Sequence, residues 1–198
     1  MNILFITPDL PYPLHNGGKI RTFSLLHNLA QKHDVTLISF DKAPNDKTRA
    51  SVFRKFCKEV IVVPLEKRQT IDEKRKVQLL SILSNKPYQY FSSYSPKMQH
   101  EIDRALANDT FDLVHVETAH SGYHELPAQI PRVLDQQNVE YDLLYRTFEN
   151  EKLSIRKLYS YLEWKKFRRD ELRICSKFSL CTVPSERDKQ VFQKDIPS

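Results

Sequence analysis

The chain has 198 residues, of which 40% are hydrophobic and 28% charged, and its formal net charge is +6. This length fits a single domain, 1–198, with a sizeable core, and no apolar run approaches the roughly 18 residues that would cross a membrane. The three cysteines lack CxxC spacing and are predicted to be reduced thiols, and no ligand pattern for a metal is visible.

The first predicted element is a strand, NILFIT at residues 2–7, whose apolar character is typical of a strand buried on both faces. No basic segment and no small-residue cleavage site accompany it, so the N-terminus does not have the pattern of a secretory signal peptide. The chain is therefore expected in the cytoplasm.

A loop with two of the chain's three glycines, Gly17 and Gly18, follows this strand and precedes a predicted helix at 18–32. Glycine has no Cβ and accommodates positive φ, and the first N–H groups of a helix favour an anion. Lys19 and Arg21 oppose the helix dipole unless an anion is bound. The segment predicts a phosphate site, or alternatively a glycine turn with solvated charges. It matches neither the dinucleotide fingerprint nor the P-loop.

The remainder of the chain alternates short apolar runs with segments of helical spacing. Further strands are predicted at 35–40, 60–64, 111–116, 132–135 and 178–183, and further helices at 46–57, 71–84, 95–107, 139–176 and 185–192. This alternation predicts an α/β fold, namely a Rossmann-like, doubly wound and mostly parallel sheet with helices on both faces.

Two of the helical segments differ in their apolar pattern. In 71–84, the residues Val77, Leu80 and Leu83 keep helical spacing, which predicts a helix. The segment 139–176 has apolar residues on two sides, which predicts either contact with two layers or a break near 150–154.

Polar side chains follow the strands predicted at 111–116 and 132–135. Because ligands of open parallel sheets bind outside the carboxyl ends of the strands, these loops and the glycine loop are expected to meet at one crevice. Glu117 and His120 are candidates to orient a hydroxyl group or to act as a base, the alternative being a solvated strand end.

The loop after 132–135 carries Asp135, Asn138 and Glu140 on the neighbouring strand end. Asn138 is either part of the binding site or the N-cap of the helix that follows.

Four segments in order resemble landmarks of the GT-B glycosyltransferases of family four: MNILFITPDLPYPLHNGGKIRTFSLLHNLAQKHDVTLISF, FDLVHVE, PRVLDQQNVEYDLLYR and CTVPSERDKQVF. The resemblance covers essentially the whole chain. It implies the N-terminal, acceptor-binding half of a retaining enzyme that transfers a sugar from a nucleotide-sugar donor to a saccharide or lipid-linked acceptor. A C-terminal domain of the same polypeptide would bind the donor, no metal or other cofactor would be required, and this half alone would be inactive.

The resemblance also implies roles for residues at the crevice. They are Gly17 and Gly18 for the donor phosphates, Lys19, Arg21, Asn138 and Glu140 for the acceptor, and Glu117 and His120 for catalysis. Many relatives carry HxH where this chain has His115-Val116-Glu117. That departure favours a role for Glu117 over a histidine-centred mechanism.

Other functions stay open at this point. A stand-alone nucleotide or phospho-ligand binding module would use the same glycine loop as its whole anion site. The basic segments 54–76 and 152–169 predict docking on an anionic membrane at its inner face. Nucleic acid is not an expected partner, because acidic residues are interleaved with the basic ones and no recognition module is evident.

Overall fold

Six parallel strands form one sheet in the computed structural model, which describes residues 1–41, 48–64 and 70–195. The strands are β1 (Asn2–Thr7), β2 (Asp34–Asp41), β3 (Glu59–Pro64), β4 (Leu113–Glu117), β5 (Arg132–Asp135) and β6 (Leu180–Thr182). Their order across the sheet is β3-β2-β1-β4-β5-β6. The predicted fold class, a Rossmann-like doubly wound α/β sheet, is confirmed.

Helices lie between the strands. They are α1 (Gly17–Ala30), α2 (Thr48–Phe53), α3 (Ile71–Leu83), α4 (Tyr88–Ser93), α5 (Pro96–Asn108), α6 (Thr118–Ser121), α7 (Glu140–Asn150), α8 (Ile155–Cys175) and α9 (Glu186–Asp195). Helices α4 and α6 are additions to the predicted set, and the first residues of the predicted helix 46–57 lie outside the described residues. None of the described helices is long and apolar enough to span a bilayer.

The central strand β1 separates two hydrophobic cores because its side chains alternate between the faces of the sheet. Ile3 and Phe5 pack with α1 and α2 on one face. Leu4 and Ile6 belong to the core on the other face, to which α5 and α8 contribute. All four side chains are fully buried, as the nearly continuous apolar run at 2–7 predicts.

The predicted break in the long helical segment is confirmed, since α7 ends at Asn150 and α8 begins at Ile155. Ser154 has an extended backbone, and its side chain accepts a hydrogen bond from the amide of Lys157. An N-cap of this kind satisfies one of the unpaired N–H groups of the first turn.

The helix predicted at 71–84 is confirmed as α3, but its leucines do not form a buried face. Leu80 and Leu83 are 52% and 79% exposed, while the helix residue that is fully buried is Ser81. The Ser81 hydroxyl lies 3.2 Å from Tyr159 Oη of α8. A small polar residue therefore makes the contact between these helices, and the leucines remain outside it.

The chain order places a topological switch point between β1 and β4. From β1 the chain proceeds outward through β2 and β3, and from β4 it proceeds in the opposite direction through β5 and β6. Loops diverge at such a point and leave a crevice at the carboxyl ends of the strands.

Candidate functional site

Glu117, the last residue of β4, lies at this switch point and is only 3% exposed. Its Oε1 accepts hydrogen bonds from the Thr22 hydroxyl of α1 and from the Gln137 amide beyond β5. Gln137 also donates to Thr22 Oγ1 at 3.2 Å. Three elements that are remote in sequence therefore meet at one carboxyl group.

Burial disfavours the charged form of Glu117 and raises its pKa from 4.5 to about 7. The hydrogen bonds from Thr22 and Gln137 act in the opposite direction but do not offset burial. Oε2 accepts no hydrogen bond from the described residues, and protein atoms do not enclose it completely. One oxygen of this carboxyl group is thus available to a ligand.

Asp135, the last residue of β5, forms a second polar cluster. Its Oδ1 accepts from Arg21 Nη2 and from Thr182 Oγ1, both at 2.5 Å, and Arg21 also donates to the Gln136 carbonyl at 3.3 Å. Arg21, a predicted acceptor-binding residue, is therefore already paired with a carboxylate of the protein.

Lys19, also a predicted acceptor-binding residue, is paired in a similar way. Its Nζ lies 3.0 Å from Asp9 Oδ2 in the loop after β1. The two cations near the N-terminus of α1 therefore add little net positive charge to the crevice.

The glycines of this loop do not have the predicted backbone conformation, because neither Gly17 nor Gly18 has positive φ. Asn16 caps α1 by accepting from the Lys19 amide at 2.9 Å. The backbone N–H groups of Gly17 and Gly18 donate to no acceptor among the described residues. The first turn of α1 therefore keeps two N–H groups available, as an anion site requires.

Gly18 is required for space and not for its φ angle. A Cβ atom added there would lie 2.2 Å from Gln137 Oε1, whereas one added at Gly17 would have nothing within 4 Å. Gly18 thus allows Gln137 to approach α1 and to reach Glu117.

The two glycines make a matched pair for mutation. Gly18→Ala is expected to displace Gln137 from Glu117, and the loss of that hydrogen bond should raise the pKa of Glu117 further. Gly17→Ala should leave the pKa unchanged. The pKa can be followed by NMR of ¹³C-labelled glutamate carboxyl groups, and equal behaviour of the two variants would contradict this role of Gly18.

His120 and Glu140 lie near each other, with His120 Nε2 3.8 Å from Glu140 Oε2. The His120 ring also stacks on Phe167, with 5.6 Å between centroids. The structure therefore brings one predicted catalytic residue next to one predicted acceptor-binding residue.

The N-terminus of α7 is occupied by the protein itself. Buried Glu171 of α8 accepts from the amides of Glu140 and Tyr141 and from the Gln136 side chain. Burial raises the pKa of Glu171 to about 8. The N-cap position of α7 is Val139, so the N-cap interpretation of Asn138 is wrong, and Asn138 is exposed.

His115, which matches the first histidine of the family's HxH, is buried beneath the crevice. It stacks on Phe5, with ring centroids 4.2 Å apart, and burial lowers its pKa to about 4. His115 is therefore neutral at physiological pH.

Sequence reasoning missed Thr22 and Gln137 as members of the site. Thr22 follows Gly18 by four residues, which places both on the same side of a helix, and Gln137 is the second residue after a strand end. Those positions were visible in the sequence, but the shared carboxyl partner was not. Among the described residues, no cluster of His, Cys, Asp and Glu is suited to a metal ion.

Comparison with known proteins adds no relative. No protein-family model matches the chain, and no curated protein matches it significantly. The fold and the site geometry define the chain as a doubly wound α/β protein with polar side chains clustered at its switch point.

Proposed function

We propose that this crevice holds the acceptor sugar of a retaining glycosyltransferase of the GT-B type, of which this chain forms the N-terminal half. The observation that carries the proposal is the Glu117 carboxyl group, which is buried at the switch point with a pKa near neutrality. The resemblance of four sequence segments to family four supports the same reading.

Glu117 is suited to bind a hydroxyl group of an acceptor. Thr22 and Gln137 hold Oε1 and so fix the orientation of the carboxyl plane, while Oε2 can accept a hydrogen bond from the sugar. A group whose pKa lies near the operating pH exists in both protonation states and can also take up a proton. His120 and Glu140 would contact the acceptor from the neighbouring loops.

The open amides of Gly17 and Gly18 would approach the donor diphosphate. Gly18 lies against Gln137, and Gln137 contacts Glu117, so phosphate and acceptor hydroxyl would be bound side by side. In the complete enzyme, a second domain would supply the nucleotide site. Helix N–H groups stabilise developing negative charge without a metal.

A second candidate function is a stand-alone nucleotide or phospho-ligand binding module, which the open amides also favour. The charges argue against it, because Asp9 and Asp135 neutralise Lys19 and Arg21. A complete anion site would be expected to leave such cations for the ligand.

Ligand binding by saturation-transfer NMR separates these functions. The probes are the methyl glycosides of glucose, galactose and mannose, together with uridine diphosphate. We expect millimolar binding of at least one glycoside and only weak binding of the nucleotide. Glu117→Gln should weaken glycoside binding about tenfold or more, since a hydrogen bond to a charged group contributes about 1.5–3 kcal/mol.

The matched control is Glu186→Gln, which changes an exposed carboxylate on α9 and should leave binding unchanged. Micromolar binding of uridine diphosphate without glycoside binding would instead support the stand-alone module. Equal glycoside binding by wild type and Glu117→Gln would contradict the role of Glu117.

A further inference from the structure

A large part of the exposed apolar surface is concentrated in two neighbouring segments. Thirteen large hydrophobic side chains are exposed in the described part of the chain, and nine of them belong to α3, to the beginning of α8 and to the short segment that precedes α8. We call these nine the α3–α8 face: Ile71, Leu79, Leu80, Ile82, Leu83, Leu153, Ile155, Leu158 and Leu162. Contiguous exposed apolar surface of this kind marks an interaction site.

The two segments form one surface because α3 and α8 lie against each other. The hydroxyl groups of Ser81 and Tyr159 are 3.2 Å apart, and Lys166 Nζ donates to the Ser81 carbonyl. Ile82 of α3 and Ile155 of α8 line the same groove.

Basic side chains share this surface. On α3, Arg75 and Lys76 precede Leu79 and Leu80 by one helical turn and are also exposed, so charged and apolar groups occupy the same rows of the helix. The segments 71–83 and 152–169 together contain ten basic and three acidic residues. Three of these basic residues pair with acidic residues outside the two segments, namely Arg156 with Glu151, Arg168 with Asp195 and Arg169 with Asp170. Counted with those partners, the net charge of +7 falls by 3 to +4, which is still most of the +6 of the whole chain.

Aromatic residues flank the basic part of α8. Tyr161 and Trp164 pack together with 5.7 Å between ring centroids, and both are half-buried. The Lys165 ammonium lies 5.2 Å from the Tyr161 ring. Tyrosine and tryptophan suit a boundary where one end of the side chain is apolar and the other wet.

We infer that the α3–α8 face docks on the surface of an anionic lipid bilayer, with the leucines and isoleucines inserted at the headgroup boundary and the lysines and arginines facing the lipid phosphates. An apolar face with a basic surround is the pattern of interfacial membrane binding. The binding is peripheral and does not depend on the proposed transferase function.

The charge around the α3–α8 face favours a lipid bilayer over a protein as its partner. In a two-fold dimer the same patch would face itself, and two strongly basic surfaces would repel each other. Protein interfaces are also depleted in lysine relative to the rest of the surface, whereas lysines are frequent in the two segments that carry this face.

Vesicle co-sedimentation of the chain tests the inference. The probes are vesicles of phosphatidylcholine alone and of an equimolar mixture of phosphatidylcholine and phosphatidylglycerol. We expect binding to the mixed vesicles only, weakened by added salt because exposed charges are screened. The double variant Leu79→Glu/Leu83→Glu should reduce binding at least tenfold.

The control variant is Leu14→Glu/Leu180→Glu, which introduces the same charge at exposed leucines outside the α3–α8 face. It should bind as the wild type does, and circular dichroism should show that both double variants are folded. Failure of the wild type to bind mixed vesicles, equal binding to both vesicle types, or equal loss in both variants would each overturn the inference. So would a dimer in sedimentation equilibrium that Leu79→Glu/Leu83→Glu dissociates.

The glycoside measurement keeps this result separate from the proposed function. Leu79→Glu/Leu83→Glu leaves the crevice intact and should bind the methyl glycosides as the wild type does. Loss of vesicle binding with unchanged glycoside binding is the expected combination.

Discussion

Replacement of Arg49 by methionine is expected to lower the free energy of unfolding by about 3–5 kcal/mol, because it removes one partner of a buried ion pair. Arg49 of α2 is 4% exposed and pairs with the carboxylates of Asp41 and Asp9. It also donates to the carbonyls of Leu10 and Tyr12, at 3.0 and 2.8 Å.

Because these contacts fix the loop between β1 and α1, the substitution should also increase the mobility of the start of α1, where Gly17 and Gly18 lie. Urea unfolding followed by circular dichroism measures the effect. The matched control is Arg54→Met, one turn beyond Arg49 and exposed, which should change stability by no more than about 0.5 kcal/mol. Similar effects of the two substitutions would contradict the structural role of Arg49.

A pH-dependent gain in stability is expected for Glu117→Gln. Burial raises the pKa of Glu117 from 4.5 to about 7 in the folded chain. Its contribution to stability is therefore fully present below the unfolded pKa and is lost as the pH rises through the folded pKa. Glutamine does not titrate. As the pH rises from the unfolded to the folded pKa and beyond, the free energy of unfolding of the variant should therefore increase by about 3 kcal/mol relative to that of the wild type.

The prediction concerns the difference between variant and wild type, because His115 acts in the opposite direction. Its pKa falls from 6.5 to about 4 on burial, so its contribution is lost as the pH falls. Urea unfolding of both proteins from mildly acidic to mildly alkaline pH gives the difference directly, with Glu186→Gln as control. A difference that does not change with pH would exclude the raised pKa.

The sheet could be predicted from sequence because its signal is local. Runs such as NILFIT are apolar at consecutive positions, here Ile3 to Ile6, which is typical of a strand covered on both faces. The parallel order follows from the alternation with helices, and the location of the crevice follows from the parallel order.

The packing of α3 could not be predicted in this way. A helical spacing of Val77, Leu80 and Leu83 indicates an apolar stripe but does not show whether another element covers it. In the structure, Ser81 makes the contact with α8, and the apolar side chains remain on the surface. Leu80 and Leu83, whose spacing indicated the helix, thus belong to the inferred membrane face.

The candidate site was predictable in position but not in chemistry. Glu117 could be placed at a strand end from the sequence, whereas its pKa depends on burial by elements that are remote in the chain. The need for Gly18 likewise depends on Gln137, more than a hundred residues later, and not on a local turn. Roles that depend on such contacts become visible only in three dimensions.

NMR of the chain labelled with ¹⁵N-glycine tests the crevice most directly, since its three glycines give three amide signals. Gly17 and Gly18 begin α1 at the crevice, and Gly122 packs against Ile174 of α8 and serves as the internal control. Titration with uridine diphosphate glucose at millimolar concentration should shift the signals of Gly17 and Gly18 and leave that of Gly122 unchanged. Unchanged signals of Gly17 and Gly18, or a shift of Gly122 alone, would contradict a ligand site at the switch point.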